Sequence, residues 1–410
     1  MAYTPPKPWF SALVYRTMHP LAGLLCRLIW RVEAHNQEAL ATSTGPMLLL
    51  PNHTSTFDPV WAGYFAWRRL GFMASAQLFR YKALSMLIGA LGAFPKSKFV
   101  KDKDAMAHMQ RIWDMGHVVL IFPEGTRTWD GRTRPVIPGI GRLIKRMDAK
   151  VVYCRIQTGH YHHPRWARYP RLVPVRVEYD GPYDYEDKAQ SELDDIVSEK
   201  IRIDPNPKVE GWSWGFRMAH GFPTYMWGCP HCHALRSLDI HPKDDNAVLC
   251  GGCGAAWRLD PFNQMHPLPG TPVEGQAVED IITHRDRLVA ALGEPPIADQ
   301  ARLDAEGIAL QEPGWVGKVT HTKDPEHLAD GLLTLTRETL EVRDEQGEVL
   351  WSTPLKSLVA VSYELAGVLQ VRGRNKLYVQ LTPKTGSTVM WGHFIAHWAK
   401  AAGARKIRFG

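Results

Sequence analysis

Two short segments of this 410-residue chain carry side chains suited to proton transfer and anion recognition. The first, Pro51-Asn52-His53-Thr54-Ser55-Thr56-Phe57-Asp58, follows a buried apolar run, Met47 to Leu50, and opens a helical pattern. An imidazole at a strand's carboxyl end, with a carboxylate just inside the next helix, suits general-base chemistry at a sheet edge. Asp58 accepts from one ring nitrogen of His53 and fixes its tautomer, and the other nitrogen is free to take a proton from a hydroxyl. No covalent nucleophile is needed when the substrate hydroxyl is itself the attacker. By itself, His-x4-Asp also describes a loop-capping His and a first-turn Asp, with Asn52 and Ser55 as helix caps. The second segment, Phe122-Pro123-Glu124-Gly125-Thr126-Arg127, also follows a buried apolar run, Val118 to Phe122. Glu124 with Arg127 offers an anchored guanidinium, Gly125 permits a tight turn and Thr126 adds a hydroxyl. The set suits a phosphate clamp, because Arg pairs with phosphate oxygens in a bidentate manner. An internal Glu–Arg ion pair closing a turn is the structural alternative.

A different chemistry is written in Cys229-Pro230-His231-Cys232 and Cys250-Gly251-Gly252-Cys253, two C-x2-C pairs separated by 17 residues. Two such knuckles can close a tetrahedral thiolate site, and residues 228–260 resemble a zinc ribbon, with iron as the alternative metal. With Cys229, Cys232, Cys250 and Cys253 filling all four positions, no site is left for a catalytic water, so the expected zinc is structural. Asp239, Asp244, Asp245 and Asp260 make the neighbourhood acidic, which argues against nucleic acid and for a stabilising or protein-docking role. Cys26 and Cys154 stand alone, a usage that reads as a reduced, intracellular chain.

Strands and helices must position these groups. Expected strands at Met47–Leu50, Val118–Phe122, Val151–Ile156 and Arg171–Glu178 alternate with helices at 56–69, 84–91, 104–113, 140–147 and 186–200, which implies a helix-covered sheet. Ala83 to Phe94 is too short to span a bilayer and is expected as a buried helix. Apolar residues from Trp9 to Trp30 recur at helical spacing around Arg16, Arg27 and Arg31, giving a basic amphipathic hairpin or a helix kinked at Pro20. That element either lies in a membrane interface or packs on its own domain. His160, His162 and His163 with Arg165 and Arg168 read as a solvated basic strip. Beyond Gly314 short strands separated by turns lead to a final helix, Val389 to Ala402. Leu332–Arg343 is expected as a single strand, and Pro295-Pro296 and Pro313-Gly314 bracket a linker. Charge divides along the chain: residues 1–176 hold 25 Lys/Arg against 9 Asp/Glu, a net of +16, and the remainder a net of −9. The basic half favours phosphates, phospholipid headgroups or coenzyme A. The N-terminus does not read as a signal peptide, since Arg16 and His19 interrupt its apolar stretch.

Together the His53 and Arg127 segments resemble the glycerolipid acyltransferase family, whose pattern runs N-H-x4-D, a glycine-led block ending in Arg, F-P-E-G-T-R, and a proline-containing hydrophobic strand. The first and third blocks match strictly, in order and about 70 residues apart. The second falls on Gly92 to Lys98, with Lys98 for the usual Arg. The fourth falls on Val151 to Ile156, with Tyr153 at the expected proline, and Ile137-Pro138-Gly139 lacks the usual basic residue. The resemblance covers roughly residues 10–200. It implies His53 as general base oriented by Asp58, Arg127 and Lys98 on the acceptor's phosphate, Glu124 positioning Arg127, Gly125 shaping the turn and Thr126 lining the substrate site. It implies acyl transfer from acyl-CoA or acyl carrier protein to a lysophospholipid hydroxyl, such as that of lysophosphatidic acid, by a cytoplasmic enzyme peripheral to the inner face of the membrane.

The expected fold is an α/β acyltransferase domain with N-terminal amphipathic helices, followed by the zinc ribbon and a small antiparallel β domain closed by a C-terminal helix. The divisions are 1–35 interface helices, 36–204 acyltransferase domain, 228–260 zinc ribbon, 261–313 linker with a short helix, and 314–410 a β-rich domain resembling the pleckstrin-homology outline in strand order. The zinc ribbon and this last domain offer surfaces for a protein partner, and Arg372, Arg374 and Lys376 a meeting point for a lipid headgroup. The alternatives are a non-enzymatic peripheral lipid-binding scaffold, or the same chemistry on a non-glycerol lipid acceptor.

Overall fold

The computed structural model describes residues 5–41, 45–66, 69–96, 102–319, 325–363, 368–374, 377–384, 387–404 and 407–409. Lys98 and Lys376 lie outside the described residues. The chain divides into two compact units, 1–165 with 170–215 and 166–169 with 216–410.

In the first unit, seven strands form one sheet: β1 (Glu33–His35), β2 (Met47–Pro51), β3 (Leu70–Ser75), β4 (Ala93–Lys96), β5 (Val118–Leu120), β6 (Lys150–Ile156) and β7 (Arg176–Tyr183). Their order is β1-β7-β6-β2-β5-β3-β4. From β6 to β4 the strands run parallel, and β7 returns antiparallel to β6. The strand alternation of side chains sends Met47 and Leu49 into one buried cluster with Trp61 and Tyr179. Leu48 and Leu50 enter another with Ile144 and Leu193. A sheet buried on both faces needs apolar residues at every position, which is why Met47 to Leu50 is an unbroken apolar run.

The helices of this unit are α1 (Pro8–Leu28), α2 (Glu38–Ala41), α3 (Asp58–Gly63), α4 (Lys82–Ala90), α5 (Lys103–Asp114), α6 (Ile140–Met147), α7 (Gly159–His162) and α8 (Gln190–Lys200). Several expectations are corrected here. α1 runs unbroken through Pro20, and only Val14 and Cys26 are buried along it. The helix expected over 56–69 ends early, at Gly63 with a 3-10 turn to Ala66, and the chain enters β3. Of the buried helix expected from Ala83 to Phe94, α4 supplies the helix but exposes Met86 and Leu87, and Ala93–Lys96 is the edge strand β4, where Pro95 is tolerated because an edge has free backbone positions. The strand expected at 171–178 begins only at Arg176, beyond Pro174. His160 and His162 are buried in α7 rather than solvated. Among the described residues, no helix is long and apolar enough to cross a membrane.

The second unit holds two sheets. After the short α9 (Phe222–Tyr225), strands β8 (Leu238–His241), β9 (Asp244–Cys250), β10 (Ala256–Leu259), β11 (Gln264–Pro267) and β12 (Glu279–Asp280) form an antiparallel meander. Helices α10 (Ile281–Leu292) and α11 (Gln300–Glu306) follow, each with an aspartate cap, Asp280 and Asp299. The other sheet comprises β13 (Ile308–Lys318), β14 (Glu326–Thr336), β15 (Thr339–Arg343), β16 (Val349–Pro354), β17 (Leu358–Tyr363), β18 (Leu369–Gly373), β19 (Tyr378–Pro383) and the short β20 (Arg408–Phe409). Its order is β16-β15-β14-β13-β19-β18-β17-β20. Pro313-Gly314, expected to bound a linker, sits inside β13. A side chain at Gly314 would meet Leu333 Cδ1 at 2.4 Å, so close strand packing, not a turn, accounts for that glycine. The single strand expected at 332–343 is two, β14 and β15, joined by a tight turn at Arg337-Glu338. Helix α12 (Thr388–Ala401) follows β19, capped by Ser387, whose hydroxyl accepts from Val389 and Met390 N–H, and it buries Trp391, Phe394 and Ile395.

Candidate active site

Adjacent parallel strands β2 and β5 end side by side, so the two chemistry-bearing segments leave the same sheet edge. This is where open α/β sheets assemble ligand sites from loops at strand carboxyl ends. Asn52 does not cap a helix. Its amide donates to Ile156 O at 3.2 Å and its side-chain oxygen accepts from Ile156 N–H at 2.7 Å, extending the β2–β6 ladder by one rung. That rung fixes where His53 emerges.

His53 Nδ1 lies 2.8 Å from Asp58 Oδ2. Asp58 is fully buried and is the first residue of α3. Its carboxylate also accepts from Thr54 N–H at 2.5 Å, Ser55 N–H at 2.8 Å and the Thr54 hydroxyl at 3.1 Å. A carboxylate so fully engaged cannot swing away, and it holds Nδ1 as the protonated nitrogen. The imidazole stacks on Phe122 with ring centroids 3.9 Å apart, which leaves Nε2 as the reactive nitrogen. Burial moves the His53 pKa below its usual 6.5, and the Arg127 and Arg165 charges push the same way. The hydrogen bond and charge of Asp58 oppose them. The ring is therefore neutral, and able to accept a proton, at pH 7.

Glu124 departs from its expected role. One oxygen accepts His53 N–H at 2.6 Å and the other accepts Arg134 N–H at 2.7 Å, so it ties the two loops together instead of pairing with Arg127. Burial pushes its carboxyl up to about 8 against those two donors. Thr128 N–H donates to His53 O at 2.9 Å, closing the loop pair. Gly125 has φ +69°, a left-handed conformation that favours glycine, and an added Cβ would meet the tip of the exposed Ile137 side chain at 2.1 Å and displace it.

Arg127 reaches back to the first segment, Nη1 donating to Thr56 Oγ1 at 2.6 Å. No carboxylate lies within ion-pair distance of it among the described residues, and burial lowers its pKa. A half-buried guanidinium with no carboxylate within ion-pair distance is suited to an incoming anion. Sequence reasoning missed Arg165 as part of this site. Its Nη1 donates to Thr126 Oγ1 at 2.9 Å and to Arg127 O at 2.7 Å, and its guanidinium lies 4.5 Å from the Trp129 ring. Only its place in a basic aromatic stretch, Arg165-Trp166-Ala167-Arg168, marked it in sequence. His162, buried and edge-on to Phe57 and Trp61, supports the helix that carries Asp58. Burial drops its pKa to about 3.

In the second unit the four expected ligands converge. Cys229 and Cys253 sulfurs are 3.8 Å apart, those of Cys232 and Cys250 are 3.7 Å apart, and all four lie within 4.8 Å of one another. Thiolates at tetrahedral corners ~2.3 Å from a zinc ion are ~3.8 Å apart, so the donor set fits that ion.

Residues 31–157 match the protein family described as Acyltransferase, a span that contains both the His53 and the Arg127 segments. Among solved structures the chain is similar to the 1-acyl-sn-glycerophosphate (LPA) acyltransferase PlsC from Thermotoga maritima. The identity is 19%, over 47% of this chain and 78% of that one, with a TM-score of 0.40.

Proposed function

From the acyltransferase-family domain at residues 31–157, we propose that this protein moves a fatty acyl group from an acyl thioester to a lysophospholipid hydroxyl, as in lysophosphatidic acid. The observation that carries the reading is the His53–Asp58 pair at 2.8 Å, its aspartate fully buried, beside an Arg127 with no carboxylate within ion-pair distance among the described residues. His53 Nε2 takes the acceptor's hydroxyl proton as that oxygen attacks the thioester carbonyl. The C–S bond breaks, and the imidazolium returns the proton to the leaving thiolate, giving an ester and a free thiol. Arg127 holds the acceptor phosphate, Thr126 adds a donor and Arg165 fixes the turn that aims them. Lys98 joins the phosphate contact by the family pattern. The donor is acyl-CoA or acyl carrier protein.

The basic, apolar-faced α1 supports a cytoplasmic enzyme peripheral to the inner face of the membrane. Four converging sulfurs support a structural zinc in a ribbon over 228–260. The order of β13 to β19, closed by α12, supports a pleckstrin-homology-like domain. These latter two elements are offered as protein-docking surfaces. Ile137 over Gly125 and Tyr153, bonded at 2.9 Å to Tyr185, depart from the family pattern and favour, as a second reading, a non-glycerol lipid acceptor.

Acyl transfer from a coenzyme A thioester, then from a carrier-protein thioester, to a panel of lyso-lipids and amino-acid lipids in micelles tests the reading. Silence with every pair would leave a lipid-binding scaffold in its place. Four finer outcomes are expected. The acid limb of kcat/KM falls with a midpoint below 6.5, because the base must be neutral and burial depresses it. Asp58→Asn removes the interactions that raise the His53 pKa, so its residual activity keeps an acid limb displaced to still lower pH. A limb above 6.5 would remove His53 as the titrating base. Arg127→Ala raises KM for a phosphate-bearing acceptor by about 10–100-fold, on the scale of a lost charge-assisted bond. Arg165→Ala gives a smaller rise together with an upward displacement of the acid limb, since its charge depresses His53. An unmoved limb would make Arg165 merely structural.

A further inference from the structure

We propose that Trp212-Ser213-Trp214 is a second lipid-contacting element, seating its two indoles in the headgroup region of a phospholipid bilayer beside the end of α1. The inference rests on the reading of this unit as a peripheral membrane enzyme and extends it to a segment outside the acyltransferase-matching residues. Trp212 and Trp214 are 63% and 49% exposed. An indole has an apolar body and one N–H donor, the combination that concentrates Trp at membrane–water interfaces. Singly exposed apolar residues need no explanation, but these stand next to others. Leu24, Leu28 and Ile29, at the end of α1, are 54%, 61% and 44% exposed. The two exposed apolar groups are linked through Arg31, and clustered exposed apolar residues of this kind mark contact sites.

Arg31, three residues past α1, joins the two parts. Its guanidinium lies 5.6 Å from the Trp212 ring, and Nη2 donates to Trp212 O and, at 3.4 Å, to Leu172 O. Trp214 is held by a reciprocal backbone pair with Leu172, N–H to O at 2.8 and 3.1 Å. The segment is therefore a fixed platform, in which Trp212 and Trp214 are exposed on either side of the half-buried Ser213. Charge selects the partner. Arg27, in the last turn of α1, and Arg31, against the Trp212 ring, flank the apolar residues and complement anionic lipid phosphates, and they are unsuited to a basic protein surface.

The test is co-sedimentation of the full chain with phosphatidylglycerol–phosphatidylethanolamine vesicles. It compares wild type, Trp212→Ala/Trp214→Ala and Leu24→Asp/Leu28→Asp, with melting temperature as the fold control. The paired Trp variant is expected to melt like wild type and partition at least about tenfold more weakly, the scale set by losing two interfacial aromatic side chains. Hydroxyl-radical footprinting of the wild type should show Trp212 and Trp214 protected by vesicles, a readout that needs no variant. Undiminished binding of the Trp variant alongside loss in the Leu variant would overturn the proposal and leave α1 as the anchor. A wild type that ignores vesicles would overturn the membrane reading itself.

Discussion

His53→Ala is expected to lower the turnover number by at least about 10²–10⁴-fold, the usual worth of a positioned general base. It should do so with a nearly unchanged KM for the acceptor, because phosphate recognition belongs to Arg127 and the loop below it. Fold loss is not expected to confuse the result. Asp58 keeps its bonds from Thr54 and Ser55, and the His53 backbone keeps both Glu124 and Thr128. What disappears is the ring stacked on Phe122 and its contact with Asp58. Acyl transfer by the purified variant, measured beside wild type with the best donor and acceptor from the panel, decides it. A variant within tenfold of wild type would remove His53 from the mechanism. A wild type silent with all thioesters would point to the scaffold reading.

The second large effect is expected in the other unit. Wild type should carry one zinc per chain by elemental analysis, and Cys229→Ser or Cys250→Ser should lose it. Structural zinc contributes roughly 10–16 kcal/mol in isolated finger peptides, so even a fraction of that exceeds what a small sheet can spare. β8 to β12 form a meander of short strands whose knuckles precede β8 and join β9 to β10. Without the metal, those two turns lose their common tether. Removal should expose residues 228–267 to hydrogen exchange and lower the melting temperature of this unit, while the α/β unit keeps its own transition. Full zinc content in the Ser variants, or melting indistinguishable from wild type, would refute the site. A coloured protein with visible thiolate–metal bands would instead identify iron.

Much of the site could be read from sequence because its parts are local. His53 and Asp58 are five residues apart, and Phe122 to Arg127 is one turn, so each carries its chemistry in a short string. Adjacency of β2 and β5, which brings the strings together, is written in neither string and is visible only in the sheet. Glu124's partners were misread for the same reason. A Glu three residues before an Arg suggests a pair, whereas its bonds go to backbone N–H groups at positions 53 and 134, which no local pattern encodes. β3 was missed because Leu-Gly-Phe-Met-Ala-Ser has no β-branched residue and follows a helix without a strong stop signal. β4 was missed because of its Pro95. His160 and His162 were misplaced because composition suggested solvent, and only the packing of Trp30, Phe57 and Trp61 shows otherwise. In the second unit the cysteine spacing announced the cluster. The strand beginning at Ile308 was hidden by Pro313-Gly314, residues that usually signal a turn but here fit a crowded ladder.

The Glu124 tie and the Arg127–Thr56 bond cross between the same two loops in opposite directions, carboxylate to His53 N–H and guanidinium to the Thr56 hydroxyl. The loops are thus a single mechanical part made from two distant pieces of chain. An engineer could not graft the His53 loop onto another sheet and expect a working base. The second loop, and the neighbouring parallel strand that presents it, would have to travel with it. Substitutions in the two loops should accordingly show epistasis, with a second lesion adding little once the first has freed the joint.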